Sequence, residues 1–199
     1  MNRNDPANPG MWHRLKVFRS SESGSQSVEA VIILPLLFWA VTATLVYFDA
    51  FRSRNDAARA TFTVTDLISR ETGPVDAAYL RGVQHVIGQL SGSATDPRVR
   101  VTLLRCVADC DDEARRELEV VWSRARGGLP EIRQDQTAQD GLRARIPAMS
   151  QASSVIMVES EIDWVPWFNV GLQARPLAST VVMRPRFSPQ ICWETCERS

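Results

Sequence analysis

From Ala30 to Phe48 the chain runs through nineteen consecutive residues without a formal charge. As a helix rising about 1.5 Å per residue this run is roughly 28 Å long, close to the thickness of a bilayer's hydrocarbon layer. The stretch VEAVIILPLLFWAVTATLVYF, residues 28–48, therefore predicts a membrane-spanning helix, with Pro35 as an internal kink or packing point. Beyond it the apolar positions thin to a helical period. Ala58, Phe62, Thr65 and Ile68, with Val64 and Leu67 beside them, predict that the helix continues as an amphipathic stem. Thr72-Gly73-Pro74 ends it. A second amphipathic helix follows in VDAAYLRGVQHVIGQL, with Val75, Tyr79, Val83, Val86, Ile87 and Leu90 as its apolar face and His85 as an ordinary residue at its edge.

From Arg98 the period changes to two. Val99, Val101 and Leu103 alternate with Arg100 and Thr102, the signature of a half-buried strand. LEVVWSRAR, beyond CVADCDDEARR, reads as its hairpin partner. Residues 127–153 are rich in Gly, Pro, Gln and Asp and predict a long surface connection with room for a short helix. SVIMVESEIDW is a third strand, with Ile156, Val158, Ile162 and Trp164 on one face and Glu159, Glu161 and Asp163 on a solvated one. VPWFNVG is a turn, and PLASTVVMRPRF a fourth strand closed by prolines. The fold class expected is α+β: a transmembrane helix extending into an aqueous stem, a second helix, and an antiparallel sheet of about four strands.

Composition narrows the function. With 23 basic and 23 acidic residues the chain has no net charge to recruit nucleic acid. Two distant histidines, His13 and His85, leave little material for histidine-based metal or triad chemistry. The polar segment 1–24 carries Arg14, Lys16 and Arg19 as the basic run of a targeting leader, with Met11 offering a second start. A removable signal peptide has a shorter apolar core. Its cleavage candidate here, Val41-Thr42-Ala43, is followed by further apolar residues, so the stretch is read as a retained anchor. Four basic residues precede the span and three closely follow it, Arg52, Arg54 and Arg59, which favours a cytoplasmic N-terminus only by a margin of one.

Cys106 and Cys110, then Cys192 and Cys196, form two C-x-x-x-C pairs that in an exported domain read as disulfides. Local bridges within each pair are slightly favoured, and bridges joining the two regions are also allowed. A zinc site is the competing use of the four thiols, but export favours oxidation. No metal or other cofactor is expected. Asp109, Asp111, Asp112 and Glu113 lack the spacing of a calcium loop and read as a solvated turn. The alternating Glu159, Glu161 and Asp163 read as an exposed strand face rather than paired catalytic carboxylates. Trp164, Trp167, Phe168 and Trp193 read as core and turn packing, with an interface patch as the other use. Arg184 and Arg186 around Pro185 read as a partner contact or a protected sheet edge.

The sequence G-S-Q-S-V-E, Gly24–Glu29, followed by AVIILPLLF, resembles the N-terminus of type IV pilin-like proteins. The LPLL run, the Asp163-Trp164-Val165-Pro166 turn and the strand ending Val182-Met183-Arg184-Pro185-Arg186 are similar to TadE-like pseudopilins of the tight-adherence (Flp) pilus system. The likeness covers Gly24–Glu71 and Val155–Phe187; the connection and both cysteine pairs lie outside it. It implies a prepilin peptidase cut between Gly24 and Ser25, with Glu29 as fifth residue of the mature chain. Glu29 is then expected to pair with the amino terminus of a neighbouring stem, the alternative being a place in the first helical turn favoured by the helix dipole. Pro35 would belong to the same stem assembly.

The organisation expected is a leader (1–24), a transmembrane helix (25–51) and a periplasmic α+β domain (52–199). The function implied is that of an inner-membrane, single-pass pseudopilin or minor pilin. Its partners would be prepilin peptidase, other pilins and pilus assembly proteins, and no catalysis is called for. A pseudopilin of another secretion machine shares the N-terminal pattern. A membrane-anchored periplasmic thiol enzyme would need a reactive cysteine, and the usual C-x-x-C spacing is absent.

Overall fold

Side chains alternating along β-strands and recurring along helices must find each other. In the computed structural model, which describes residues 23–112, 114–137 and 140–196, they do so as an α+β fold. The order is α1 (Ser23–Ser69), α2 (Ala77–Ser91), β1 (Arg98–Ala108), β2 (Glu117–Arg126), a 3-10 turn (Gln134–Gln136), α3 (Asp140–Arg143), β3 (Ser154–Trp164) and β4 (Arg175–Met183). The leader call falls mostly on residues 1–22, outside the described residues. The compact units divide between Leu45 and Val46.

In the unit up to Leu45, α1 is helical through Pro35. From Ser27 to Val41 every residue is exposed, and the large ones, among them Val31, Leu34, Phe38 and Trp39, point to all sides. This α1 is one helix long and apolar enough to cross a membrane.

The unit from Val46 onward is built on one antiparallel sheet in the order β2-β1-β3-β4. Val99, Val101 and Leu103 of β1, Trp122 of β2, and Ile156, Val158 and Ile162 of β3 share a core with Ala57, Ala60, Val64 and Ile68 of α1. Leu80, Val83 and Ile87 of α2 complete it. Asp76 caps α2, accepting a hydrogen bond from the Tyr79 backbone N–H at 2.7 Å, and Gly92 ends it in the left-handed conformation. At the close of β2, Gly127 has φ +79° and lies so near Arg98 that a Cβ would sit 2.9 Å from its Cα; only glycine suits both conditions.

Four expectations are corrected. The buried stripe of the stem is Ala57, Ala60, Thr61, Val64, Thr65 and Ile68, while Ala58 and Phe62 face outward. Small residues let the helix lie close on the sheet, and the threonines hide their polarity. Thr61 Oγ1 donates to Ala57 O (2.8 Å) and lies 2.6 Å from Ser160 Oγ, and Thr65 donates to Thr61 O (2.7 Å). A count of apolar side chains alone therefore lands one position off.

On α2, Val86 and Leu90 are exposed and Leu80 and Gln84 are buried instead. Gln84 is held there by its amide, which donates to Pro97 O at 2.8 Å and accepts from Arg126 Nε at 3.0 Å.

The connection 127–153 is no surface loop throughout. Ile132, Ile146 and Met149 are buried against Leu104, Cys106, Leu118, Val155 and Met157 on the second face of the sheet. Buried Arg116 holds it down by donating to the carbonyls of Ile146 and Pro147.

Because that face is covered, Glu159 is buried too, contrary to the solvated strand face expected. Asp163 stays exposed and Glu161 is half-buried.

Candidate membrane and assembly surfaces

Gly24 and Ser25 lie in the first turn of α1, and their side chains fall outside the described residues. Glu29 and Pro35 are exposed on the same helix, among exposed apolar neighbours. An apolar surface on all sides of a helix has no solvent-facing stripe, which suits lipid or other apolar helices rather than water.

The base of the second unit is organised by Asp49. Its carboxylate accepts a hydrogen bond from the Trp164 indole N–H at 2.9 Å, which satisfies the one polar atom of a nearly buried ring. Trp164 and Leu177 pack with Val46, and Ala50, Val170 and Leu172 close around them. The four aromatic residues grouped by sequence separate accordingly. Trp164 is core. Trp193 packs tilted against Trp122, ring centroids 5.6 Å apart, with the Arg124 guanidinium over its ring at 5.2 Å. Trp167 and Phe168 remain exposed, 6.2 Å apart.

Arg186, expected at a partner contact or a protected sheet edge, also pairs within the domain. Its backbone N–H donates to Ser69 O at 2.8 Å, capping the end of α1, and its guanidinium pairs with Asp66 at 2.7 Å. Arg184 donates to Ala148 O at 3.3 Å. β4 is an edge strand.

Cys106 is bridged to Cys110 and Cys192 to Cys196, with Cα separations of 5.9 and 5.1 Å. Each short loop places one residue in the left-handed region, Asp109 at φ 48° and Glu194 at φ 58°. The second loop ties the chain end to the core. Val75 N–H donates to Cys192 O (2.9 Å), Glu194 N–H to Val75 O (2.8 Å), and the Trp122 indole to Ile191 O (2.7 Å). Among the described residues no cysteine is free.

The three acidic residues of β3 are each paired with arginine. Glu159 Oε2 accepts from Arg100 at 2.6 Å and Oε1 from Arg145 at 3.1 Å, beside a cavity of about 220 Å³ lined also by Ile132, Gln136 and Leu142. Glu161 and Asp163 share Arg98 at 3.3 and 2.6 Å. A carboxylate matched by guanidinium on both oxygens is a structural ion pair. In the acidic turn the Arg115 guanidinium beside Asp112 holds its carboxyl below the usual range, Asp109 and Asp111 are exposed, and Glu113 lies outside the described residues. Tyr79 is pushed well above the ordinary phenol range by burial and by its hydrogen bond to Glu71 Oε1 at 3.0 Å. The partners that sequence reasoning missed, Asp49, Asp66, Arg100 and Ser160, are polar residues whose mates lie far along the chain. No family model, curated protein or solved structure matches this chain.

Proposed function

We propose that this protein is a membrane-anchored pseudopilin or minor pilin of a tight-adherence pilus, acting through contacts of its stem and domain. The observation that carries the reading is α1 itself. Its residues 30–41 are apolar and exposed, and its residues 46–69 supply the spine of an α+β core. A simple anchor needs only the first property and a soluble domain only the second. The Gly24 to Glu29 spacing at the head of that helix agrees with prepilin processing, and pairing of Glu29 with a neighbouring amino terminus makes both charges tolerable in lipid. The closed cysteine pairs speak against the thiol enzyme.

The test is processing followed by location. In cells with an active prepilin peptidase, N-terminal sequencing should return Ser25, and Gly24→Ala should slow the cut. Glu29→Ala should leave the chain in the membrane and weaken its recovery with other pilin stems. A mature N-terminus at Thr44, or an uncut chain, would sink the reading. Sheared surface fibres, probed for this chain, separate a fibre subunit from an assembly factor.

A further inference from the structure

From Trp164 at the end of β3 through the turn to Ala174 run eleven residues without a formal charge, bounded by Asp163 and Arg175. A loop at the tip of a sheet in water is ordinarily polar. This one is folded from within, because Trp164 packs with Val46 and Leu177, and Val170, Leu172 and Ala50 close around them. The Asn169 side chain also accepts from Gly171 N–H at 3.1 Å. What it leaves outside is apolar: Val165 is 70% exposed, Trp167 60% and Phe168 38%.

Its position makes that exposure meaningful. Val46 to Phe48 are the last residues of the uncharged run, so the segment the loop packs on is the one where a span beginning near Val28 leaves the hydrocarbon. Tyr47, Phe48 and Phe51 are exposed on that same segment of α1. Eight residues after Val46 comes Arg54, about 12 Å along a helix, which lines one surface groove with Arg175 at the loop's own end. Aromatic side chains and then arginines, met in that order along the helix, match the layering of a bilayer from its acyl boundary to its phosphates.

We propose that Val165, Trp167 and Phe168 insert into the acyl and glycerol boundary of the membrane leaflet, with Arg54 and Arg175 at the level of the phosphates. The domain then has a second attachment to the bilayer besides its span. This rests on the membrane-spanning reading of α1, and the experiment separates the two.

The full chain, reconstituted in phosphatidylcholine and phosphatidylglycerol vesicles, is labelled with an environment-sensitive fluorophore at one introduced cysteine, without reductant so that the native disulfides stay closed. The positions are Val165→Cys in the loop, Leu37→Cys in the span and Thr63→Cys on the exposed side of α1, about 20 Å beyond Ala50 along the helix. A nitroxide lipid labelled near the glycerol should quench the loop label, a nitroxide deep in the acyl chain should quench the span label, and neither should quench the Thr63 label. Trp167→Ser with Phe168→Ser should remove the quenching at Val165. If the span label is quenched and the loop label behaves like the Thr63 label, the loop is not in lipid and the proposal is overturned, leaving the patch as a protein contact. If the span label is not quenched, the spanning reading fails and takes the proposal with it.

Discussion

The two parts of α1 use hydrophobicity in opposite ways. Residues 30–41 are apolar on every side and exposed, with large side chains such as Leu34, Phe38 and Trp39. Residues 46–69 bury a narrow stripe of Ala57, Ala60, Thr61, Val64, Thr65 and Ile68 and turn Phe51, Phe62 and Leu67 outward. In the first part size and hydrophobicity suit a surrounding apolar medium. In the second, smallness matters more, because the sheet lies close and Ser160 must reach a threonine. An exposed phenylalanine on the stem is thus no lapse in the pattern but a consequence of which face the sheet can approach.

That contrast can be broken most sharply at Ile68. Its side chain is fully enclosed, and Ile68→Ala should cost about 4 kcal/mol of domain stability, whereas Phe62→Ala should change it by less than about 0.5 kcal/mol. Urea unfolding in detergent micelles, followed by tryptophan fluorescence, decides, and equal effects would refute the assignment of faces. In the first part the expectation reverses: exposure gives no protection. Leu36→Asp should disfavour insertion by about 3 kcal/mol and reduce the carbonate-resistant membrane fraction, while Thr63→Asp leaves it unchanged. Full retention of Leu36→Asp in the membrane would contradict the spanning role.

Smaller effects sharpen the second part. Thr61→Val keeps the shape but strands the buried Ser160 hydroxyl, and should cost about 2 kcal/mol. The double change Thr61→Val with Ser160→Ala should recover part of that loss, and a double-mutant cycle showing no coupling would dismiss the pair.

The smallest effect lies at Tyr79, beside the end of the stem. Its folded pKa is raised above the ordinary 10.0, so the folded state holds the proton more tightly. The stabilisation is complete below pH 10.0 and is lost as pH rises above that value. Stability should therefore fall as pH rises above 10.0 in the native chain and fall less in Tyr79→Phe. Identical slopes would show that the phenol is not responsible.

The uncharged run to Phe48, the period-two strands and the ends of both helices were legible in the sequence, because they depend on local composition and on side chains that repeat along one element. The sequence also holds only two histidines, His13 and His85, far apart along the chain. The tertiary structure decided the rest. Glu159 reads as a solvated strand residue until the connection carrying Ile132, Ile146 and Met149 folds over its face and supplies Arg145. Arg186 reads as a free basic strand end until the close of β4 returns it to Ser69 and Asp66. The turn after Trp164 reads as ordinary until Val46 and Ala50 are found beneath it. Each of these depends on pairing residues more than ten positions apart, and local periodicity carries no information about which distant segment will cover a given face.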